Sequence, residues 1–286
     1  MCRWFVVKVG FAGLGVMGFP MARRLLEAGF QLKVYNRTVE KALPLKEQGA
    51  VVASSPGDLA SDVDVYITML RDADVVEKFL IGEAFFKARS GTIFIDMSTV
   101  YPDFSVKMAS EAERRGFSFL DAPVLGNVDA AERGELKILV GGRREVYERV
   151  LDLLRVMGEP LYLGASGYGS RVKMIVNHIL ITTVSNLAEA LALTRSLGIK
   201  PETIMDIMGK HPTGRALEYY WNRMLPEKTR AKFYIELAAK DLMYIVETGV
   251  RNRQELPMAS SALQTYTKAS KTIPRKDYTR IIEILK

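Results

Sequence analysis

Apolar and polar positions along the chain follow two different periods, one after the other. In the first half, short β-branched and aromatic runs recur: "FVVKVGFAG" at 5–13, "QLKVYN" at 31–36, "VDVYITML" at 63–70, "GTIFIDM" at 91–97, "FSFLDAPV" at 117–124 and "LKILVGG" at 136–142. Stretches with helical spacing, such as 15–28 and 72–81, lie between them. This alternation predicts parallel βαβ units in a sheet covered on both faces. Beyond "PLYLGASGYGS" at 160–170 the rhythm stops. Residues 169–197 read as one helix without Pro or Gly between its ends, roughly 40 Å long at 1.5 Å per residue. Further helices are predicted at 201–209, 213–224, 231–248 and 257–269, with no strand among them. The fold class is therefore α/β over 1–164 followed by an all-helical domain over 165–286, the long helix joining the two.

The first turn of the α/β part is "GFAGLGVMGFPMARRLLEAG" at 10–29, with Gly13, Gly15 and Gly18 following a strand and opening a helix. A G-x-G-x-x-G match alone is weak, but strand, helix and a second strand at 31–36 supply the context of a Rossmann-like dinucleotide site. There the first glycine makes the turn, the second lets a pyrophosphate approach the backbone, and the third packs helix on strand. The loop Gly13, Leu14, Gly15, Val16, Met17 and Gly18 would then hold phosphate on free N–H groups at the helix N-terminus. The second strand ends in Asn36, Arg37 and Thr38, where an NAD-preferring enzyme has Asp or Glu. With no carboxylate to repel a 2'-phosphate and Arg37 available to pair with one, NADP is favoured over NAD. Asn36 and Thr38 also read as caps of the helix that follows.

Charge and composition narrow the function classes. The net charge of +7 is spread out without a run of five or more like charges, so an anionic small ligand is expected rather than nucleic acid. One cysteine, Cys2, allows no intrachain disulfide, and with two distant histidines no metal cluster is expected; a cytoplasmic location fits. Residues 4–21 resemble a signal peptide only superficially, since Lys8 interrupts them and no small-residue cleavage site follows; no other run of about eighteen apolar residues suggests a membrane span.

A second group of polar residues lies in "GYGSRVKMIVNH" at 167–178. Lys173 and Asn177 are four apart and share one face of the long helix, with Gly169 a turn earlier. A lysine beside a nicotinamide could give a proton to a developing alkoxide in reduction and withdraw it in oxidation. Periodicity alone leaves the alternative that Lys173 is a solvated surface residue. His178, 100° around the helix from Asn177, reads as a packing or dimer-contact residue, and His211 as a loop or cap residue. Arg143 and Arg144 read as a surface helix start, and the stripe Ile175, Ile179 and Thr182 as core.

These motifs, taken in order, resemble the β-hydroxyacid dehydrogenase family, which includes 3-hydroxyisobutyrate dehydrogenase. The resemblance is carried by the glycine loop, "NRT" at 36–38, "ITML" at 67–70, "DMSTVYP" at 96–102, "DAPVLGN" at 121–127, "GELKILVGG" at 134–142, "GYGSRVKMIVN" at 167–177 and "AAKDL" at 238–242. It implies a Rossmann-like domain, a helical domain that helps form a homodimer or homotetramer, and hydride transfer between NAD(P) and a small 3-hydroxyacid. It further implies Lys173 as catalytic proton donor and acceptor and Asn177 as a substrate ligand. Met69, Leu70 and Thr99 would contact the cofactor, Ser98 would lie beside the site, and Lys240 would approach the nicotinamide or substrate end. In 6-phosphogluconate dehydrogenases a His precedes the helix Asn, and here that residue is Val176; imine reductases usually have Asp or Tyr where Lys173 stands; and non-catalytic, chromatin-binding relatives lack this Lys.

One departure stands out. The common Ser-Gly-Gly after "DAPV", a cradle for the substrate carboxylate, is Leu125, Gly126 and Asn127 here. Losing the hydroxyl would cost about 1–3 kcal/mol of carboxylate binding if nothing replaces it. The Asn127 carbonyl could accept from an ammonium group, which points to a small polar 3-hydroxyacid such as L-serine. The expected activity is that of an NADP-preferring 3-hydroxyacid dehydrogenase. The alternatives are a glyoxylate or succinic semialdehyde reductase on the same site, and a cofactor-binding module without turnover.

Overall fold

The computed structural model describes residues 7–225 and 231–285; Cys2 and the first two positions of the first predicted strand run lie outside them. Among the described residues nine strands make one sheet: β1 (Lys8–Ala12), β2 (Gln31–Tyr35), β3 (Val51–Val52), β4 (Val65–Thr68), β5 (Ile93–Asp96), β6 (Ser118–Asp121), β7 (Val124–Leu125), β8 (Leu136–Gly142) and β9 (Gly158–Gly164). Their order is β3-β2-β1-β4-β5-β6-β8-β7, with β9 pairing with β8. From β3 to β6 every pairing is parallel. β8 runs antiparallel to both β6 and β7, which the expectation of a parallel sheet missed. The reason is local: β6, β7 and β8 follow closely in sequence, and such short returns suit antiparallel pairing, whereas a parallel neighbour needs a long crossover.

The helices of this part are α1 (Gly18–Glu27), α2 (Leu43–Glu47), α3 (Pro56–Ala60), α4 (Ala73–Phe79), α5 (Phe85–Lys87), α6 (Pro102–Arg114), α7 (Val128–Arg133) and α8 (Arg144–Met157). They follow α/β rules. β4 and β5 are buried along their whole length, so they read as continuous apolar runs rather than alternating ones. Strand order reverses at β1, which has β2 on one side and β4 on the other, so the crevice for a ligand opens at the carboxyl ends of β1 and β4.

The long helix is α9 (Tyr168–Ser196), followed by α10 (Pro201–Met208), α11 (Gly214–Met224), α12 (Ile235–Arg251) and α13 (Pro257–Thr272). Chain contacts divide the molecule into two units after Lys173, within α9. In the helical unit α9 buries Met174, Asn177, Ile181, Val184, Ala188 and Leu191, a stripe at three- and four-residue spacing. Trp221 of α11 is fully buried and its indole N–H donates to the Leu187 carbonyl at 2.9 Å. The stripe expected to be core is exposed instead: Ile175 is 60% and Ile179 57% accessible. Both stripes are apolar, so spacing alone does not say which one packs. For the same reason α9 contains an 18-residue window of mean hydropathy 1.3, long and apolar enough by composition to cross a membrane, contrary to expectation. Its amide-bearing Asn177 is buried with a partner inside the helical unit, as befits a helix packed among others.

Candidate active site

The glycine loop follows β1, and its three glycines are required for three different reasons. Gly13 has a left-handed φ of +101°, and a methyl there would strike the Met69 carbonyl. A methyl on Gly18 would strike the Gly13 carbonyl, so this glycine lets α1 pack on its own strand. Gly15 meets nothing within 4 Å and is exposed, as is Val16. No internal packing explains a glycine there, whereas a phosphate lying on the backbone does. α1 begins without an acidic residue in its first turn and without a side-chain cap, so its N–H dipoles are left for an anion. These residues fit a dinucleotide.

Asn36 works differently from the capping role expected of it. Its Oδ1 accepts from the Leu14 N–H at 2.9 Å and its Nδ2 donates to the Thr38 carbonyl at 2.8 Å. Thr38 precedes a short 3₁₀ turn but caps it with no side-chain bond. Asn36 makes no cap because its amide braces the glycine loop. Arg37 and Thr38 are exposed at the end of β2.

The parallel strands deliver the other residues to the same edge. A ladder of backbone bonds continues past the strand ends: Gly13 N–H to the Tyr35 carbonyl (2.9 Å), Met69 N–H to Ala12 (2.9 Å), Met97 N–H to Thr68 (2.8 Å) and Ala122 N–H to Asp96 (2.7 Å). Met69 and Leu70 are thereby held beside Gly13, whose missing side chain their backbone and the Leu70 methyl nearly fill. The buried Ser98 hydroxyl accepts from the Leu70 N–H at 2.8 Å, so Ser98 positions the β4 loop, and Thr99 follows it half-buried.

Two buried carboxylates, which sequence reasoning passed over, stand opposite each other at the ends of β5 and β6. Asp96 Oδ1 accepts from the Thr68 hydroxyl at 2.7 Å and the Ser98 N–H at 3.1 Å, while its Oδ2 is buried without a partner. Burial pushes the Asp96 carboxyl up to about 6; the hydrogen bonds of Ser98 and Thr68 oppose this, and the charge of Asp121 adds to it. Asp121 is also raised by burial, against the pull of the Gly167 and Ser170 N–H groups on its two oxygens at 2.7 and 2.9 Å. The signal for both was available: a lone Asp closing an apolar run, in "IFID" and "FLD".

Lys173, half-buried in the α/β unit, donates from Nζ to the Val124 carbonyl of β7 at 2.7 Å. Leu125 ends β7, and Gly126 and Asn127 follow it. Asn127 is the N-cap of α7, its Oδ1 accepting from the Ala130 N–H at 3.1 Å. That bond engages the carbonyl expected to meet an ammonium group and leaves the amide N–H₂ as the donor toward an anion.

In the helical unit Asn177 Nδ2 donates to Asp241 Oδ2 at 2.7 Å, and both residues are buried. Lys240 Nζ lies 2.9 Å from Asp241 Oδ1, at an angle that serves charge attraction rather than a directed hydrogen bond, and 4.9 Å from the Tyr244 ring centre. Asp241 thus ties together two residues that the motifs picked out separately. His211 lies in the turn before α11, its ring Nδ1 2.8 Å from the Thr213 hydroxyl.

Comparison with known proteins agrees with this geometry. Residues 8–173 match the family described as the NAD binding domain of 6-phosphogluconate dehydrogenase, and residues 167–285 the family described as NAD-binding of NADP-dependent 3-hydroxyisobutyrate dehydrogenase. The chain is 34% identical to 2-(hydroxymethyl)glutarate dehydrogenase of Eubacterium barkeri, over 97% of this chain and 94% of the relative. It is 30% identical to the chloroplastic glyoxylate/succinic semialdehyde reductase 2 of Arabidopsis thaliana, over 98% and 80%. Among solved structures, Mycobacterium tuberculosis 3-hydroxyisobutyrate dehydrogenase with L-serine superposes with a TM-score of 0.85 at 27% identity, covering 99% of this chain and all of that one. With a glycine cradle at the switch point and relatives matched along nearly its whole length, the chain belongs to the β-hydroxyacid dehydrogenase family and is an NAD(P)-dependent oxidoreductase of small hydroxyacids.

Proposed function

We propose that the protein is an NADP-preferring 3-hydroxyacid dehydrogenase in which Lys173 carries the proton. The observation that carries this reading is the Lys173 amine itself, held on the Val124 carbonyl in the same unit as the glycine cradle. When bound, the nicotinamide accepts the hydride in oxidation and donates it in reduction. The chain's task is then acid–base work: the neutral Lys173 amine takes the hydroxyl proton as the carbon is oxidised, and the ammonium returns it in the opposite direction. One Lys173 hydrogen stays on Val124, which fixes the direction of the rest. The family resemblance assigns Asn177 and Lys240 to the substrate or nicotinamide end; within the helical unit Asp241 engages the Asn177 N–H₂ and attracts the Lys240 ammonium.

NADP preference is supported by the chemistry of Asn36, Arg37 and Thr38 and by the NADP-dependent family matched over 167–285. The substrate proposed is a small 3-hydroxyacid, with the carboxylate at Gly126 and the Asn127 N–H₂. L-serine remains the first to test, supported now by the structural relative that holds it rather than by the Asn127 carbonyl. The second reading is reduction of a small aldehyde acid, favoured by similarity to a glyoxylate/succinic semialdehyde reductase. We place the enzyme in the cytoplasm as a homodimer or homotetramer, with a second copy covering the exposed α9 stripe of Ile175 and Ile179.

The test is a panel of L-serine, 3-hydroxyisobutyrate, 3-hydroxypropionate, glyoxylate and succinic semialdehyde, each with NADP(H) and NAD(H), followed by absorbance of the reduced nicotinamide. NADP is expected to exceed NAD in kcat/KM by about tenfold or more, equivalent to about 1.4 kcal/mol. Lys173→Met is expected to lower kcat by about a thousandfold with NADP affinity retained. Full turnover by that variant refutes the assigned role.

A further inference from the structure

We infer that Asp121 is a positioning residue for the reaction: its carboxylate locks the first turn of α9 onto the end of β6 and so sets the place of the Lys173 amine. The inference rests on the reading of Lys173 as proton carrier.

Asp121 is fully buried, and each oxygen accepts one backbone N–H from the start of α9, Gly167 at 2.7 Å and Ser170 at 2.9 Å. These are N–H groups that no carbonyl within the helix can reach, and a negative charge there meets the positive end of the helix dipole. Space around the carboxylate is kept clear on two sides. A methyl on Gly141 would stand 2.6 Å from Oδ1, and one on Gly169 2.9 Å from Oδ2. A third contact braces the same turn from α6, where the Ser105 and Ser170 hydroxyls lie 2.8 Å apart.

Three residues further along the same strand segment, the Val124 carbonyl holds Lys173 Nζ. Pro123 lies between, and its carbonyl is bonded to the Leu139 N–H at 2.9 Å, so the segment itself is fixed to β8. Residues 121–124 therefore grip α9 at two points, the helix start and the amine. Two points determine both the axial position and the rotation of a helix, and hence where a side chain on it reaches.

A need for helix capping does not explain the arrangement. α8 and α11 begin with no side-chain cap, so this chain starts long helices without one. A carboxylate kept from water is a costly way to hold a helix unless its exact placement matters.

The experiment is a double-mutant cycle on the full-length enzyme with Asp121→Asn, Lys173→Met and both together. It is read by kcat and KM for the best acid of the panel, NADPH fluorescence for cofactor affinity, and circular dichroism for folding. Asp121→Asn is expected to lower kcat tenfold or more with NADPH affinity within threefold. In the Lys173→Met background it is expected to change the residual kcat by less than twofold, because the group it positions is gone. Equal losses in both backgrounds, or a kcat within twofold of the parent, overturn the inference. Full activity of Lys173→Met alone refutes the reading of the amine, a separate result. If Asp121→Asn does not accumulate folded, Ser170→Ala takes its place, since that hydroxyl braces the same turn against Ser105 of α6. A two- to fivefold loss in kcat confined to the parent background supports the anchor, and no loss, or the same loss in both, overturns it.

Discussion

The central strands of the α/β unit bury every side chain they carry, whereas the helical unit leaves Ile175, Ile179, Leu193, Ile207 and Val250 largely accessible. In the first unit the burial partners all belong to the chain, and positions at the site are dictated by backbone collisions at Gly13 and Gly18 or by buried hydrogen bonds at Asp96 and Asp121. In the second, one face of α9 is packed around Trp221 while another apolar face has nothing on it. Strands buried on both faces leave little freedom in their sequence pattern, whereas α9 carries two apolar stripes, one packed within its own unit and one exposed.

Four substitutions sharpen that contrast. The largest effect is expected in the glycine loop, where Gly18→Ala drives a methyl into the Gly13 carbonyl and should cost about 3 kcal/mol in urea unfolding. Gly15→Ala should leave stability within about 1 kcal/mol, because its methyl meets open space, and yet weaken NADP binding about tenfold. Comparable unfolding losses for both would mean that the loop is packed uniformly and would erase the distinction between folding glycines and the binding glycine.

Next comes Asp96. Its folded carboxyl lies near 6 against an ordinary value of 3.8, so the folded chain holds this proton more tightly than the unfolded chain. The sign follows: its stabilising effect is complete below about pH 4, fades as pH rises through the interval to 6, and is gone above it. Asp96→Asn keeps an acceptor for Thr68 and Ser98 and removes the titration. Its stability relative to the parent should therefore rise between pH 4 and pH 7, by up to about 3 kcal/mol, in denaturant titrations at each pH. A parallel pair of profiles would show that Asp96 does not titrate there.

The smallest effect on folding is expected on α9. Ile179→Glu should change the chain's own stability by about 0.5 kcal/mol or less, since the side chain is exposed, while lowering the assembly mass in sedimentation. A loss of several kcal/mol without a change in mass would return this stripe to the core of a single chain.

The order of these effects follows what was legible in the sequence. Strand runs ending in Ala12, Thr68, Asp96 and Asp121 announce a buried parallel sheet, because only such strands are apolar on both faces. The two-residue β3 and β7 carry too few positions for a period, and β8 turned back for reasons of chain length that hydropathy does not encode. At the candidate site, Gly13 and Gly18 were readable because the motif calls for glycine at the two positions where a methyl would strike backbone. Asp241 was not, because a carboxylate that accepts an amide N–H from a residue 64 positions away has no local signature, whereas Asp96 and Asp121 carried one that was passed over, a lone Asp closing an apolar run. The assignment of Asn36 to a cap failed because its amide is already engaged nearby, and the Asn127 carbonyl proposed for an ammonium is already an acceptor at the start of α7.

Asn36 has a practical consequence for anyone redesigning nucleotide choice. Its one amide ties the glycine loop to the segment that follows β2, the two stretches proposed to hold the dinucleotide. Replacing it to admit a different coenzyme is expected to loosen the glycine loop as well. Selectivity is better altered at Arg37, whose side chain stands clear of that tie.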